Sequence, residues 1–372
     1  MTVPFVDLQA MYLPQRDAIL AAIQGVCDSQ HFILGPEVAG LEREVAALLG
    51  VAHAVGVSSG TDALLASFMA LGLGPGDEVI TSPFTFFATG GAIARTGATP
   101  VFAEIHIDTF NIDVADVEAR ITPRTKAIVP VHLYGQMADM RSLLAVTKPR
   151  GIAVVEDAAQ ALGAARDGLT PGAGGDFGCF SFFPTKNVGA YGDAGIVVTN
   201  SEALDTRLRP LRTHGSRDRI GYPSVGGNFR LDAIQAAILR TKLPALGDWN
   251  GTRQANAERY NGLLRAAGLV DEGHVILPAT APGALHIFHQ YVLRARDRDA
   301  LRAHLAERGI STGVYYLRPL HVLECFTELG QPAGSLPNAE EASATSVALP
   351  IFPGLTEAQQ GEVVDAMAAF YA

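Results

Sequence analysis

The chain has 372 residues, 48% apolar and 18% charged, which suits a large packed core in two domains and excludes a disordered polymer. Ten net negative charges argue against nucleic acid or acidic lipid as a general partner, yet leave room for a small anion at a helix N-terminus. Cys27, Cys179 and Cys325 form neither a disulfide framework nor a metal-ligand spacing; with no basic-apolar leader and no bilayer-length run, the expectation is a soluble cytoplasmic protein without metal.

Helical spacing predicts helices over Arg16–Val26 and Pro36–Leu49, the latter with Val38, Leu41, Val45 and Leu48 on one face. From Ala52 the rhythm changes. Strand-like runs at Ala54–Val57, Glu78–Thr81, Thr99–Ala103, Ala127–His132 and Ala153–Glu156 alternate with helical stretches at Thr61–Leu71, Phe86–Thr96, Asp113–Ile121 and Met137–Thr147. Such alternation predicts an α/β fold with a mostly parallel central sheet and helices on both faces. Two further runs, Phe177–Phe182 and Ile196–Thr199, lie close enough in sequence to pair as an antiparallel edge. Helices over Leu231–Leu246 and Trp249–Leu264 lead into a smaller C-terminal α/β domain with a strand at Gln290–Arg296 and helices at Asp297–Arg308 and Thr356–Phe370. The expected division is residues 1–248, including the N-terminal helices, and residues 249–372.

Three segments carry chemistry. In Val154-Val155-Glu156-Asp157-Ala158-Ala159-Gln160 an apolar strand ends in two carboxylates, and ligands of open α/β sheets bind beyond such strand ends. An Asp capping the next turn is the plainer reading of Asp157 by itself. In Phe180-Ser181-Phe182-Phe183-Pro184-Thr185-Lys186-Asn187 a single lysine follows an apolar run and is flanked by Gly189, Gly192 and Gly195. Most lysines are solvated surface charges, but burial would favour the neutral amine that attacks an aldehyde. Val57-Ser58-Ser59-Gly60-Thr61-Asp62-Ala63-Leu64 runs from strand through turn into helix; its open amides suit a phosphate, and an ordinary N-cap would look the same. A lysine, a carboxylate and a phosphate cradle together suit pyridoxal 5′-phosphate (PLP), which needs an amine for its aldehyde and an acid partner for its ring nitrogen.

With those segments stand Pro83-Phe84-Thr85-Phe86-Phe87-Ala88-Thr89 and Asn228-Phe229-Arg230-Leu231-Asp232, and in this order they resemble the DegT/DnrJ/EryC1/StrS family of sugar aminotransferases, PLP enzymes of fold type I related to aspartate aminotransferase. The resemblance implies that Lys186 is the Schiff-base lysine and Asp157 the partner of the pyridinium nitrogen. It places Gln160 near the ring's phenolic oxygen, Phe86 on the ring face, and Gly60, Thr61 and Ser181 at the phosphate. Asn228 would reach the cofactor phosphate of the partner subunit in a homodimer with shared sites, and Arg230 would take the amino donor's carboxylate. Tyr316 and His321, in Gly313-Val314-Tyr315-Tyr316-Leu317-Arg318-Pro319-Leu320-His321, correspond to the sugar-nucleotide segment, while Arg212 and His214 are further candidate cations near a diphosphate. The implied reaction passes nitrogen from L-glutamate, leaving 2-oxoglutarate, to a nucleotide-linked keto-sugar, a 3-keto hexose on UDP or dTDP, with amination at C4 as the alternative. The resemblance also points to amino-sugar formation for lipopolysaccharide or another polysaccharide. Two rivals remain. Gly56-Val57-Ser58-Ser59-Gly60 matches a serine-hydrolase elbow, with Ser58, Asp157 and His321 as a triad, although only helical sequence precedes it. Gly172–Gly178 is glycine-rich but wrongly spaced for a nicotinamide site.

Overall fold

The computed structural model describes residues 2–218 and 220–372. After a single helical turn at Gln9–Tyr12 come helices α1 (Arg16–Ser29) and α2 (Gly35–Leu49), and α2 buries Val38, Leu41, Val45 and Leu49 along one stripe. It stops at Gly50, whose left-handed backbone (φ +68°) suits a residue without Cβ.

Seven strands follow: β1 (His53–Val57), β2 (Glu78–Thr81), β3 (Thr99–Phe102), β4 (Thr125–Val129), β5 (Ala153–Asp157), β6 (Phe177–Ser181) and β7 (Gly195–Thr199). They form one sheet in the order β1-β7-β6-β5-β4-β2-β3, parallel from β3 to β6. Helices α3 (Gly60–Leu71) and α4 (Phe87–Arg95) follow β1 and β2 as crossovers. Every residue of β2 and β7 is buried, because both faces of the sheet are covered, and the strands accordingly read as apolar runs rather than alternating ones.

The expected antiparallel pair forms, with Gly178 facing Val198 and Ser181 facing Gly195, but it is not the edge. β1 closes the sheet outside β7, antiparallel to it over five residue pairs from His53–Thr199 to Val57–Gly195. Strand β1 therefore runs parallel to β6, and α3 starts at the same edge of the sheet at which β2, β4, β5 and β6 end. Successive strands leave β2 in opposite directions, to β3 on one side and β4 on the other, which makes this edge the switch point where α/β sheets open a crevice.

Beyond the sheet lie α5 (Glu202–Leu211), α6 (Ala233–Lys242) and α7 (Leu246–Ala266). The C-terminal part adds α8 (Arg298–Glu307), α9 (Pro337–Thr345), α10 (Glu357–Tyr371) and a small antiparallel sheet of β8 (Val275–Ile276), β9 (Tyr291–Ala295) and β10 (Ser346–Leu349), with β9 in the middle. Its core gathers Tyr260, Tyr291, Leu301, Leu305, Val363 and Met367. Val3 belongs to this same core, its N–H donating to the Gly309 carbonyl at 3.0 Å, so the start of the chain is packed with the end. Residues 248 and 249 fall inside the unbroken α7, which places Leu246 in a core beneath the large sheet and Leu264 in the C-terminal core. Among the described residues no helix is long and apolar enough to cross a membrane.

Candidate active site

The two carboxylates that end β5 point to opposite faces, as adjacent strand residues must. Glu156 points into protein and is 0% exposed. It accepts from the amides of Gly172 (2.8 Å), Gly174 (3.2 Å) and Gly175 (2.7 Å), and lies 2.7 Å from His132 Nε2. The Ala138 N–H donates to His132 Nδ1 at 3.1 Å, so a neutral ring carries its hydrogen on Nε2 and donates it to Glu156. The glycine run is thus a wrapping for a buried carboxylate, and at Gly175 a Cβ would lie only 2.7 Å from the Val154 carbonyl oxygen. Glu156→Ala leaves the histidine and three amides buried without an acceptor. It is expected to lower unfolding free energy by about 3 kcal/mol or more, read from denaturant titration, and a loss below about 1 kcal/mol would contradict this.

Asp157 points to the crevice, still only 5% exposed. Its Oδ2 accepts from Thr89 Oγ1 at 2.7 Å, and Thr89 in turn is 3.1 Å from Thr85 Oγ1. Its Oδ1 accepts from the Ala159 amide at 3.2 Å. Burial raises the carboxyl above its ordinary range, while these hydrogen bonds and the nearby charges of Lys186 and His132 pull it back. Sequence reasoning overlooked Thr89 and Thr85, although both stand in the Pro83–Thr89 motif.

Lys186 lies in the loop between β6 and β7, which folds back on itself: Lys186 N–H donates to the Phe183 carbonyl, and Ala190 N–H to that of Phe182, both at 2.8 Å. Its side chain keeps some surface open. Even so, burial lowers the amine to about 8, against the opposing pull of Asp157. No hydrogen bond or ion pair holds Nζ among the described residues. An amine and a buried carboxylate therefore share one crevice, close enough for each charge to act on the other.

At the start of α3 the Ser59 side chain caps the helix, accepting from the Asp62 amide at 3.0 Å. The amides of Gly60 and Thr61 have no acceptor among the described residues and point out of the positive helix end. Close approach demands glycine here: a Cβ on Gly60 would lie 2.8 Å from Ser181 Cβ, and one on Gly195 would lie 2.5 Å from the Ser59 carbonyl carbon. Ser181 Oγ accepts from the Phe183 amide at 3.2 Å, which leaves its own hydrogen to donate. The strip carrying Asn228 and Arg230 runs beside this corner, Arg230 bridging Val57 and the Phe229 carbonyl accepting from Ser58 N–H at 3.0 Å. Asn228 is exposed; Arg230 is partly open and makes no ion pair among the described residues.

Gln160 stands on the other side of Asp157. Its Oε1 accepts from the Tyr134 amide at 2.7 Å, which fixes the side-chain amide and turns Nε2 toward the Tyr316 hydroxyl at 3.3 Å. The Phe86 ring is 59% exposed and lies 6.2 Å from the Tyr316 ring. Phe86 is therefore not a core residue.

Several expected contributors are committed elsewhere. His321 is 1% exposed, with Nε2 3.1 Å from Glu340, and no hydrogen bond joins it to this cluster. Arg212 is buried against Glu42 at 2.6 Å and the Gly56 carbonyl at 3.2 Å, so it is spent beneath β1 and offers no free cation. His214 is exposed. The hydrolase triad is absent: Ser58 donates to Asp62 at 2.6 Å, Asp157 takes Thr89, and His321 takes Glu340.

An uncommitted amine of lowered pKa, a buried acid with acceptor capacity to spare and an amide-lined corner for a phosphate meet the three needs of PLP, so the residues present fit that cofactor. Fold and site together define a PLP-dependent transferase of the aspartate aminotransferase-like class. More narrowly, the chain belongs to the DegT/DnrJ/EryC1/StrS aminotransferase family, whose model matches residues 14–368, and PLP is its cofactor. It is 48% identical to a pleiotropic regulatory protein of Geobacillus stearothermophilus, over 100% of this chain and 99% of that one. It is 46% identical to the dTDP-3-amino-3,4,6-trideoxy-alpha-D-glucose transaminase of Streptomyces venezuelae (98% and 95%). Identity is 45% with the UDP-N-acetyl-3-dehydro-alpha-D-glucosamine 3-aminotransferase of Acidithiobacillus ferrooxidans (96% and 95%). Among solved structures, DesV of S. venezuelae superposes with a TM-score of 0.95 at 45% identity, over 99% of this chain and 98% of that one.

Proposed function

We propose that the chain passes an amino group from L-glutamate to the C3 carbonyl of a nucleotide-linked keto-hexose, carried on UDP or dTDP, for the synthesis of an amino-sugar-containing polysaccharide. The observation that carries the catalytic part is Lys186, an amine lowered to about 8 by burial beside the buried Asp157. The choice of C3 is supported by the two transaminase relatives, whose names both put the new amine at that carbon.

Bound in this crevice, PLP supplies an aldehyde carbon for amines and a ring that draws electrons from the carbon losing its proton. Gly60 N–H, Thr61 N–H and the Ser181 hydroxyl would hold its phosphate, and Asp157 would accept from the protonated ring nitrogen and keep it protonated. The Gln160 amide, held by the Tyr134 N–H, would face the phenolic oxygen, while Phe86 would cover the ring. Lys186 Nζ would hold the cofactor at its aldehyde carbon. When not engaged by the cofactor, the same amine would take the proton from the donor's nitrogen-bearing carbon and return one to the sugar carbon. Arg230, free of ion pairs, receives the donor's carboxylate as a planar fork. Tyr316 takes the sugar nucleotide; His321, buried on Glu340, drops out of that role.

The exposed Asn228 suits contact with the cofactor phosphate of a second subunit, so the working form is a homodimer with shared sites. A cytoplasmic setting agrees with three unpaired cysteines and a nucleotide-linked substrate. The test is a panel of UDP-, dTDP- and GDP-linked keto-sugars assayed with glutamate by 2-oxoglutarate release. Turnover is expected with a 3-keto sugar on UDP or dTDP; turnover confined to 4-keto sugars, or none with glutamate as donor, would sink the assignment.

A further inference from the structure

Asn187, the residue after Lys186, is 4% exposed, and its side chain belongs to a run of hydrogen bonds whose polarity is fixed by chemistry. The Leu162 carbonyl can only accept, so the atom meeting it at 3.1 Å is the amide nitrogen of Asn250. Asn250 therefore presents its oxygen to Asn187 Nδ2, 2.6 Å away. That leaves the Asn187 oxygen facing His289 Nδ1 at 2.8 Å, and the ring nitrogen must carry the hydrogen. Burial holds this imidazole neutral, helped by the charges of Lys186 and Arg253, so Nε2 is bare.

His289 is itself pinned through its backbone by the C-terminal part. Buried Arg253, on α7, donates from Nη1 to the carbonyls of His289 (3.2 Å) and Ile351 (2.8 Å). Ile287 N–H donates to the Gly135 carbonyl at 3.0 Å, and a Cβ on Gly135 would lie 3.0 Å from His289 N. The segment is thus pressed onto the loop that presents Tyr134 to Gln160.

We infer that His289 is a positioning residue for Lys186, acting through the side chain of Asn187, and that the C-terminal part of the chain thereby sets where the reacting amine stands. The inference rests on the reading of Lys186 as that amine. Without the His289 donor, Asn187 Oδ1 is a buried acceptor with no partner; the side chain turns to find one, and the adjoining lysine shifts toward water. Asp157 is the titratable group whose charge acts on the Lys186 amine, and Lys186 and Arg253 are the charges that act on the neutral His289. Losing the anchor lets the amine rise from about 8 toward the 10.5 of a solvated lysine.

The test uses cofactor-free protein. Capture of PLP is followed from pH 6 to 10, with borohydride quenching and peptide mapping so that only label on Lys186 is counted. The unaltered chain should show a midpoint near 8. His289→Ala should raise it by a unit or more and slow labelling at pH 7.5 about ten-fold. His289→Asn puts an amide N–H where Nδ1–H stood and should restore both. Asn187→Ala should reproduce the shift, with His289→Ala adding nothing to it. A midpoint still near 8 in His289→Ala or Asn187→Ala, a His289→Asn variant as slow as His289→Ala, or additive shifts would each overturn the inference. Should His289→Ala fail to fold, the other two variants decide. Label on another lysine in the unaltered chain would instead refute the Lys186 reading.

Discussion

Lys186→Ala is expected to lower amino transfer by at least about 10³-fold while leaving the fold intact and, below about pH 8, no less stable than the unaltered chain. Proton transfer by a positioned side chain contributes about 10²–10⁴-fold, and in the proposed reaction this lysine supplies in addition the amine that holds the aldehyde. The fold should tolerate the change because Nζ makes no hydrogen bond or ion pair among the described residues, and burial of the charged amine is unfavourable, as its descent to about 8 records. Below that value the folded protein must hold a partly buried cation. The lysine therefore opposes folding at low pH, and that opposition fades as pH rises from about 8 toward 10.5. In cofactor-free protein, the stability difference between Lys186→Ala and the unaltered chain should shrink over this interval. Transfer persisting in Lys186→Ala would refute the lysine's role.

Asp157→Asn is expected to cut turnover by about 10²–10³-fold, the usual loss when a preorganised electrostatic group is removed, and to weaken PLP binding. The substitution keeps the shape of the side chain but removes its charge, so the ring nitrogen would lose the partner proposed to keep it protonated. Two donors now converge on Asp157, from Thr89 at 2.7 Å and Ala159 at 3.2 Å, and they aim the carboxylate while leaving it lone pairs. Thr89→Val should for the same reason reduce turnover by a smaller factor, through misdirection of Asp157. Near-normal kcat in Asp157→Asn, with the cofactor bound, would contradict the assignment.

Much of the sheet is legible in the residues because its strands are short, apolar and separated by helical periodicity. Glu78–Thr81 is a strand over the expected span, and the others differ by a residue or a few at their ends. Where reading failed, long-range contact decided. Nothing local in Ile196–Thr199 says that β1, far earlier in the chain, will pair along its other side and bring it into the interior. The helix Glu202–Leu211 escaped because its apolar residues are few and it carries Pro210 near its end, although Ser201 caps it. Val3 packs with the C-terminal core through a bridge to Ile310, which no pattern near the N-terminus announces.

The site divides in the same way. Lys186, Asp157, Gln160 and the Ser59–Thr61 turn stand in compact motifs: Asp157 ends β5 with Gln160 in the turn after it, Ser59–Thr61 opens α3, and Lys186 sits in the loop after β6. Alternation along β5 was enough to say that Glu156 and Asp157 point apart, but not which of them meets the glycine run. Arg212 and His321 looked like available polar groups until burial against Glu42 and Glu340 showed them engaged. The Asn187–His289 hydrogen bond joins residues 102 positions apart, so only the folded chain reveals it.

The central claim is that one amine and one carboxylate grip the same PLP ring. Borohydride reduction of the PLP-loaded protein, followed by mass mapping of its peptides, tests the amine directly. The account predicts the added pyridoxyl mass on the peptide containing Lys186 and on no other lysine; its appearance on Lys242 or a surface lysine, with Lys186 unmodified, would contradict it.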